Sequence, residues 1–289
     1  MSIEILDDTR SELGEGPTYD PAQNKAWWFD IRGKKLFEHD FAGQRTTIHE
    51  LPVMASALGV VDETRQLLAT ESGLYLRDTA SGELTLHHPL ETDNPDTRSN
   101  DGRVHQSGAL WIGTMGKKME QGAGAIYWFS RGELRKLYPD ISIPNSICFS
   151  PDGATAYFAD SRKGKLMAVA VDPANGLPLG EPCVHYDYGV KKSVLDGSVV
   201  DADGTIWNAC WGGSCLNVIS PRGELLRTVP MPARQVSCPA FVGPKLDRLL
   251  VTSAWQGMDD AARAQDEHAG KTFILDEPVR GRAEPRIVL

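Results

Sequence analysis

The chain has 289 residues, with 30 Lys and Arg against 39 Asp and Glu, and a formal net charge of −9. Hydrophobic residues make up 41% and charged residues 24%, ordinary globular usage that supplies a sizeable core and argues against disorder. No basic run is present to neutralise a series of phosphates, and no stretch of about 18 apolar residues occurs, so nucleic-acid and membrane partners are not expected.

The opening residues MSIEILDDTRSELGEGP lack a basic segment followed by an apolar one, so the sequence is read as cytoplasmic. Cys148, Cys183, Cys210, Cys215 and Cys238 are odd in number and contain no CxxC pair. They are expected to be free thiols, not a disulfide framework or a zinc knuckle.

In chain order, segments beginning at residues 19, 60, 104, 149, 199 and 241 share one form. A turn containing Asp or Gly precedes a short apolar or aromatic strand, then a second strand and another turn. Aligning the strands after the turn puts Trp28, Leu68, Trp111, Tyr157, Trp207 and Leu250 in equivalent places, a period of about 40 to 50 residues. Alternating apolar positions, β-branched and aromatic residues and DG or SG turns predict strands. Only 258–268 (MDDAARAQDEH) reads as helical. Six units of about four strands predict an all-β, six-bladed β-propeller forming a single domain over 1–289. A β-sandwich fits six similar units poorly. The strand-like ends SIEILDD and EPRIVL are expected to lie together in the last blade and close the ring.

In a propeller the first strand of each blade faces the channel. Counting back about 11 to 13 residues from the six aligned positions reaches Glu15, Ser56, Asn100, Asn145, Asp196 and Cys238. Each polar residue alone reads equally well as a turn or strand cap. Shared register across blades favours a site. Glu15, Asn145 and Asp196 would supply two carboxylates and an amide oxygen, hard donors suited to Ca²⁺, Mg²⁺ or Mn²⁺, with Fe²⁺ and Zn²⁺ also admissible. Three protein ligands leave positions for water and substrate.

The strings LGEGP, RSNDG, WIGTM, IPNSICFSPDG, YFADS, DGSVVDADGTIW and WGG occur in order between about residues 15 and 255. Together they resemble the gluconolactonase/senescence-marker-protein (regucalcin) family of sugar lactonases. The resemblance implies a six-bladed propeller with one divalent cation, Ca²⁺ foremost, held by Glu15, Asn145 and Asp196. It also implies that Arg98 and Asn100 bind the sugar lactone and that Asp196 acts as general base. The expected partner is a small-molecule lactone, and the expected state a monomer or weak homodimer.

This chain departs from relatives that prefer neutral lactones in carrying Lys117 and Lys118 after GTM, and Lys191 and Lys192 before the Asp196 string. Lys118 is therefore a candidate contact for an anionic tail on the substrate. Two other readings compete: a calcium-dependent arylesterase or organophosphatase, and a non-catalytic metal- or sugar-binding propeller.

Overall fold

Each predicted repeat folds as one four-stranded antiparallel sheet, and the described residues, 2–289, form six of them in a computed structural model. The aligned apolar residues fall on the second strand of each sheet: Lys25–Asp30, Arg65–Thr70, Leu110–Gly116, Thr155–Asp160, Ile206–Trp211 and Arg248–Ser253. These strands are buried nearly throughout, because each face meets a neighbouring sheet and no face is left for water.

The innermost strands are Gly14–Asp20, Ala55–Val60, Thr97–Val104, Pro144–Phe149, Val194–Val200 and Val236–Val242. They pack against one another in chain order, and the sixth packs against the first. The architecture is a six-bladed β-propeller. Its core is divided among six apolar clusters, one for each seam between neighbouring blades. Large side chains fill the seams; Trp28 stacks on Phe37 at 5.2 Å, with both fully buried. Burial of each such side chain stabilises by about 1.5 to 3 kcal/mol.

The ring closes as expected at one end of the chain. Ser2–Asp7 pairs antiparallel with Thr272–Asp276 and is the outermost strand of the sixth blade, so residues from both ends share one sheet. The expectation for EPRIVL is corrected. Residues 284–289 form no strand and do not join that blade. The segment instead crosses the channel at the end where the inner strands finish.

That crossing reaches all six blades. Gly281 N donates to Leu246 O at 2.9 Å, Arg282 to Phe149 O at 2.8 Å and to Val200 O at 3.3 Å, and Ile287 N to Val60 O at 2.9 Å. Glu284 pairs with Arg103, and Arg286 lies 3.5 Å from Asp20. The alternation that made EPRIVL look like a strand serves another purpose. Ile287 enters the seam between the second and third blades, where Gly59 leaves room; a Cβ there would meet Ile287 at 3.3 Å.

The predicted helix is present but shorter, Asp260–Gln265, capped by the Asp259 carboxylate accepting from Ala262 N at 2.8 Å. Among the described residues no helix is long and apolar enough to cross a membrane.

Arg103 is 9% exposed, and its ion pair with Glu284 ties the crossing segment to the channel. Glu284→Ala strands that guanidinium and is expected to cost about 3 kcal/mol or more of unfolding free energy. Urea denaturation measures it, and an unchanged midpoint would show that the segment does not secure the ring.

Candidate active site

Every innermost strand carries one extra residue relative to its partner at the same height. The register slips between Glu15 and Thr18, Ala55 and Ala57, Ser99 and Gly102, Asn145 and Cys148, Leu195 and Ser198, and Val236 and Pro239. A bulge re-aims side chains that would otherwise alternate between the blade faces. Here it turns polar residues toward the axis. Glu15, Arg98, Asn100, Asn145 and Asp196 consequently line one cavity of about 240 Å³.

The strands enter that cavity under the same restraint in two blades. Asp30, ending its strand, accepts from Glu12 N at 2.9 Å and Leu13 N at 3.0 Å, fixing the approach to Glu15. Asp160 accepts from Ser142 N at 3.1 Å and Ile143 N at 3.2 Å, fixing the approach to Asn145. Gly16 follows Glu15 at φ 57°, and a Cβ there would lie 2.0 Å from Ser56 O, so the string LGEGP requires its second glycine. Ser146 occupies the corresponding place at φ 59°, where its hydroxyl donates to Asp196 O at 2.5 Å and ties the fourth and fifth blades together.

A chain of hydrogen bonds orients the amides. Arg98 Nη1 donates to Ser99 O at 2.7 Å and to Asn100 Oδ1 at 2.8 Å. This fixes Asn100 so that Nδ2 donates to Pro144 O at 2.9 Å and to Asn145 Oδ1 at 3.0 Å. Asn145 Nδ2 then donates to Ser161 Oγ at 2.9 Å, and Ser161 to Leu195 O at 2.7 Å. The amide nitrogens are thus committed to protein partners. Asn145 Oδ1 keeps a second lone pair, and both bonds of Arg98 come from Nη1, which leaves Nη2 and Nε for a ligand.

Burial and mutual repulsion dominate the electrostatics at the cavity floor. Burial pushes the Glu15 carboxyl from its usual range up to about 8, and repulsion from Asp101 adds to this against the Gly16 N–H, Arg98 and Arg103. Burial, then Glu15 and Asp101, drive Asp196 well above the carboxylate range. Asp101 is itself raised by burial, opposed by Arg103 and the Ile147 N–H. Arg98 is lowered to about 10 by burial and then by Arg32, opposed by Glu15 and Asp196.

Among the described residues no group of three or more His, Cys, Asp or Glu side chains is placed to hold a metal ion. Any ion here must therefore draw on the Asn145 amide oxygen as well as carboxylates. Glu15, Asn145 and Asp196 would give a hard-oxygen set, and the repulsion between the two carboxyls is what a dication would relieve.

Six channel positions were expected from register, and the structure separates them. Glu15, Asn100, Asn145 and Asp196 line the cavity, as does Arg98; Ser56 and Cys238 lie on innermost strands but do not line it. Ser56 donates to Ser99 Oγ at 2.7 Å. Lys118 is exposed and outside the lining, while Lys117 is held by Glu71 at 2.6 Å. Lys191 stands 4.1 Å over the Tyr188 ring, and Lys192 is exposed.

Two residues that bear on the site were not anticipated. Asp101 follows Asn100 in the bulge and accepts from Ile147 N at 2.7 Å, whereas a count of one residue per blade selects only its neighbour. Ser161 begins a short 3-10 turn, Ser161–Lys163, outside the strand pattern. Only the string YFADS marked it.

Without a cation, raised carboxyl pKa values mean that the folded chain binds more protons than the unfolded one, so stability falls as pH rises from about 4.5 toward about 8. EDTA-treated protein is expected to melt lower at pH 8 than at pH 6, and added Ca²⁺ or Zn²⁺ to restore it with proton release. Calorimetry in two buffers of different ionisation enthalpy measures those protons. A melting point indifferent to both EDTA and divalent ions would remove the floor as a cation site.

The profile described as SMP-30/Gluconolactonase/LRE-like region matches residues 13–255. A crystal structure of regucalcin from Agrobacterium tumefaciens C58, described as a calcium-binding protein, superimposes with a TM-score of 0.98 at 51% identity, covering 100% of this chain and 98% of that one. A Rhizobium meliloti protein, provisionally named a sugar lactone lactonase, is 55% identical over 285 residues, 99% of this chain and 97% of its own. L-arabinolactonase of Azospirillum brasilense is 34% identical over 287 residues, 98% of this chain and 94% of its own. With the profile match running from the approach to Glu15 into the sixth blade, the chain belongs to the SMP-30/gluconolactonase family.

Proposed function

We propose that the protein hydrolyses a small neutral sugar lactone to its aldonic acid, with one divalent cation held by Glu15, Asn145 and Asp196. The observation that carries this reading is the convergence of two buried carboxylates, an amide oxygen and the free edge of the Arg98 guanidinium on one cavity. The similarity to lactonases of pentose sugars supports it: beside L-arabinolactonase, a pentonolactonase of Haloferax volcanii is 30% identical over 294 residues. The calcium-binding description of the Agrobacterium protein favours Ca²⁺.

When bound, a dication acts as a Lewis acid toward the ester carbonyl. The chain supplies the rest. Arg98 and Asn100 hold substrate oxygens, the guanidinium through its planar fork and the amide within a network that cannot rotate freely. Asp196 accepts a proton from the attacking water, and the same proton is returned to the ring oxygen as the acyl C–O bond breaks. Burial keeps its affinity for a proton high, which offsets the loss of basicity that coordination imposes. Met115, Ile143, Val194 and Trp211 form apolar walls against the ring faces.

A relative from Pseudomonas putida is named 6-deoxy-6-sulfogluconolactonase, at 27% identity. The lysines that would favour such an anionic substrate lie outside this cavity or are engaged elsewhere, and Arg98 is the one cationic residue in its lining. A neutral lactone fits these walls better. The protein is taken to act as a single domain in the cytoplasm.

A pH-stat panel of arabino-, xylono- and gluconolactone, a sulfonated lactone and paraoxon, with and without EDTA, tests the proposal. Neutral lactones are expected to open fastest in a cation-dependent manner, unchanged in Lys118→Ala. Asp196→Asn is expected to lower kcat by about 100-fold or more, and Arg98→Ala to raise KM by about tenfold. Absence of turnover on every lactone by cation-replete protein would leave a binding propeller, and preference for paraoxon a phosphoesterase.

A further inference from the structure

Two thiols face each other on the fifth blade, beside the cavity and outside its floor. Cys210 and Cys215 are direct partners across the hairpin formed by Ile206–Trp211 and Cys215–Ile219. Opposed residues in an antiparallel pair have Cα atoms about 4.5 to 5.5 Å apart and side chains on one face. A disulfide needs about 4.4 to 6.8 Å. Both are free thiols, at the seam between the fourth and fifth blades.

Their surroundings favour reaction at one sulfur. Tyr188 Oη lies 2.8 Å from Cys210 Sγ and 2.6 Å from Ser193 Oγ. Lys191 Nζ stands over the same tyrosine ring. The Cys215 thiol first, then the Tyr188 and Ser193 hydroxyls and the Asn217 amide, hold the Cys210 thiol down to about 6 against burial. Burial instead drives Cys148 and Cys238 upward, and neither has a cysteine partner. The turn 212–214 over the pair is half-buried and carries glycine where a side chain would collide; a Cβ on Gly213 would lie 2.6 Å from Cys210 Sγ.

We propose that Cys210 and Cys215 are a redox-active pair that a hydroperoxide converts into a reversible cross-strand disulfide. The Cys210 thiolate attacks the terminal peroxide oxygen, the O–O bond breaks, and the departing oxygen takes a proton, leaving a sulfenic acid. Cys215 sulfur then attacks that sulfur; the S–S bond forms, the S–O bond breaks, and the hydroxyl leaves with the Cys215 proton as water. Two thiols are oxidised by two electrons and one peroxide is reduced.

The pair adjoins Trp211, which bridges to Gln235 and lines the cavity. A disulfide beside the hairpin turn restrains that wall. This consequence rests on the lactonase reading, whereas formation of the disulfide does not.

Full-length protein treated with hydrogen peroxide, alkylated with N-ethylmaleimide and peptide-mapped decides the matter. The expected product is one Cys210–Cys215 crosslink, two hydrogen masses lighter and reversed by dithiothreitol, with exposed Cys183 still alkylated. In Cys215→Ser, dimedone is expected to label Cys210. Recovery of Cys210 and Cys215 both alkylated after peroxide, or dimedone labelling confined to Cys183, would overturn the proposal. On a neutral lactone, oxidation is expected to change KM severalfold in the parent and not in Cys215→Ser. Equal KM values in oxidised and reduced parent would refute the effect on the wall.

Discussion

The arrangement depends on one electrostatic constraint: three carboxyl groups, Glu15, Asp101 and Asp196, are buried where they repel one another. Uncompensated burial of several like charges is too costly to persist without counter-charge or protonation. Arg98 supplies positive charge at the cavity and Arg103 supplies it along the channel, itself neutralised by Glu284 of the crossing segment. The remaining imbalance is what a bound cation would offset on the proposed reading. Stability and chemistry are therefore coupled, since the groups that would destabilise an empty ring are those that would act in a filled one.

Holding these groups requires rigid supports, because side chains that repel will separate wherever the backbone yields. The inner strands supply that rigidity in two ways. Each seam between blades has its own apolar cluster, so no blade can tilt without opening two of them. The bulges then fix which residue of each strand meets the axis, and the bond from Ser146 to Asp196 O joins adjacent strands at the height of the floor. Loss of ring closure at Ser2–Asp7 or at the crossing segment would be felt at the floor although neither touches it.

The blade repeat was legible because each blade buries its second strand on both faces, which forces the runs around Trp28, Trp111 and Trp207 into the sequence. Glu15, Asn100, Asn145 and Asp196 were legible through the nearly constant spacing from those runs. Arg98 and the general-base assignment to Asp196 came from resemblance to a family, not from spacing. Asp101 was hidden because a bulge breaks the alternation that a count assumes, and Ser161 because it lies in a turn after the strand. The crossing segment was misread because period-two alternation reports burial of one face and does not say whether a sheet or a channel covers it. The lysines were selected by charge alone, and charge in a sequence does not reveal that Lys117 already has Glu71.

The site also divides by origin. Its polar floor comes from innermost strands, each pinned by a bulge and by neighbours on both sides, whereas part of its wall comes from connections: Met119, Ile143, Gln256 and Gly257. Segments of that kind tolerate change better than the strands they join. A wall residue can alter the shape offered to a sugar without disturbing the carboxylates, while substitution on the floor unbalances charge for the whole ring. On the proposed reading, reaction type rests on the part of the molecule least able to vary, and substrate choice on the part most able to. Trp211 ends its strand beside the two thiols and faces the cavity, so a covalent change at the proposed thiol pair would act on the wall.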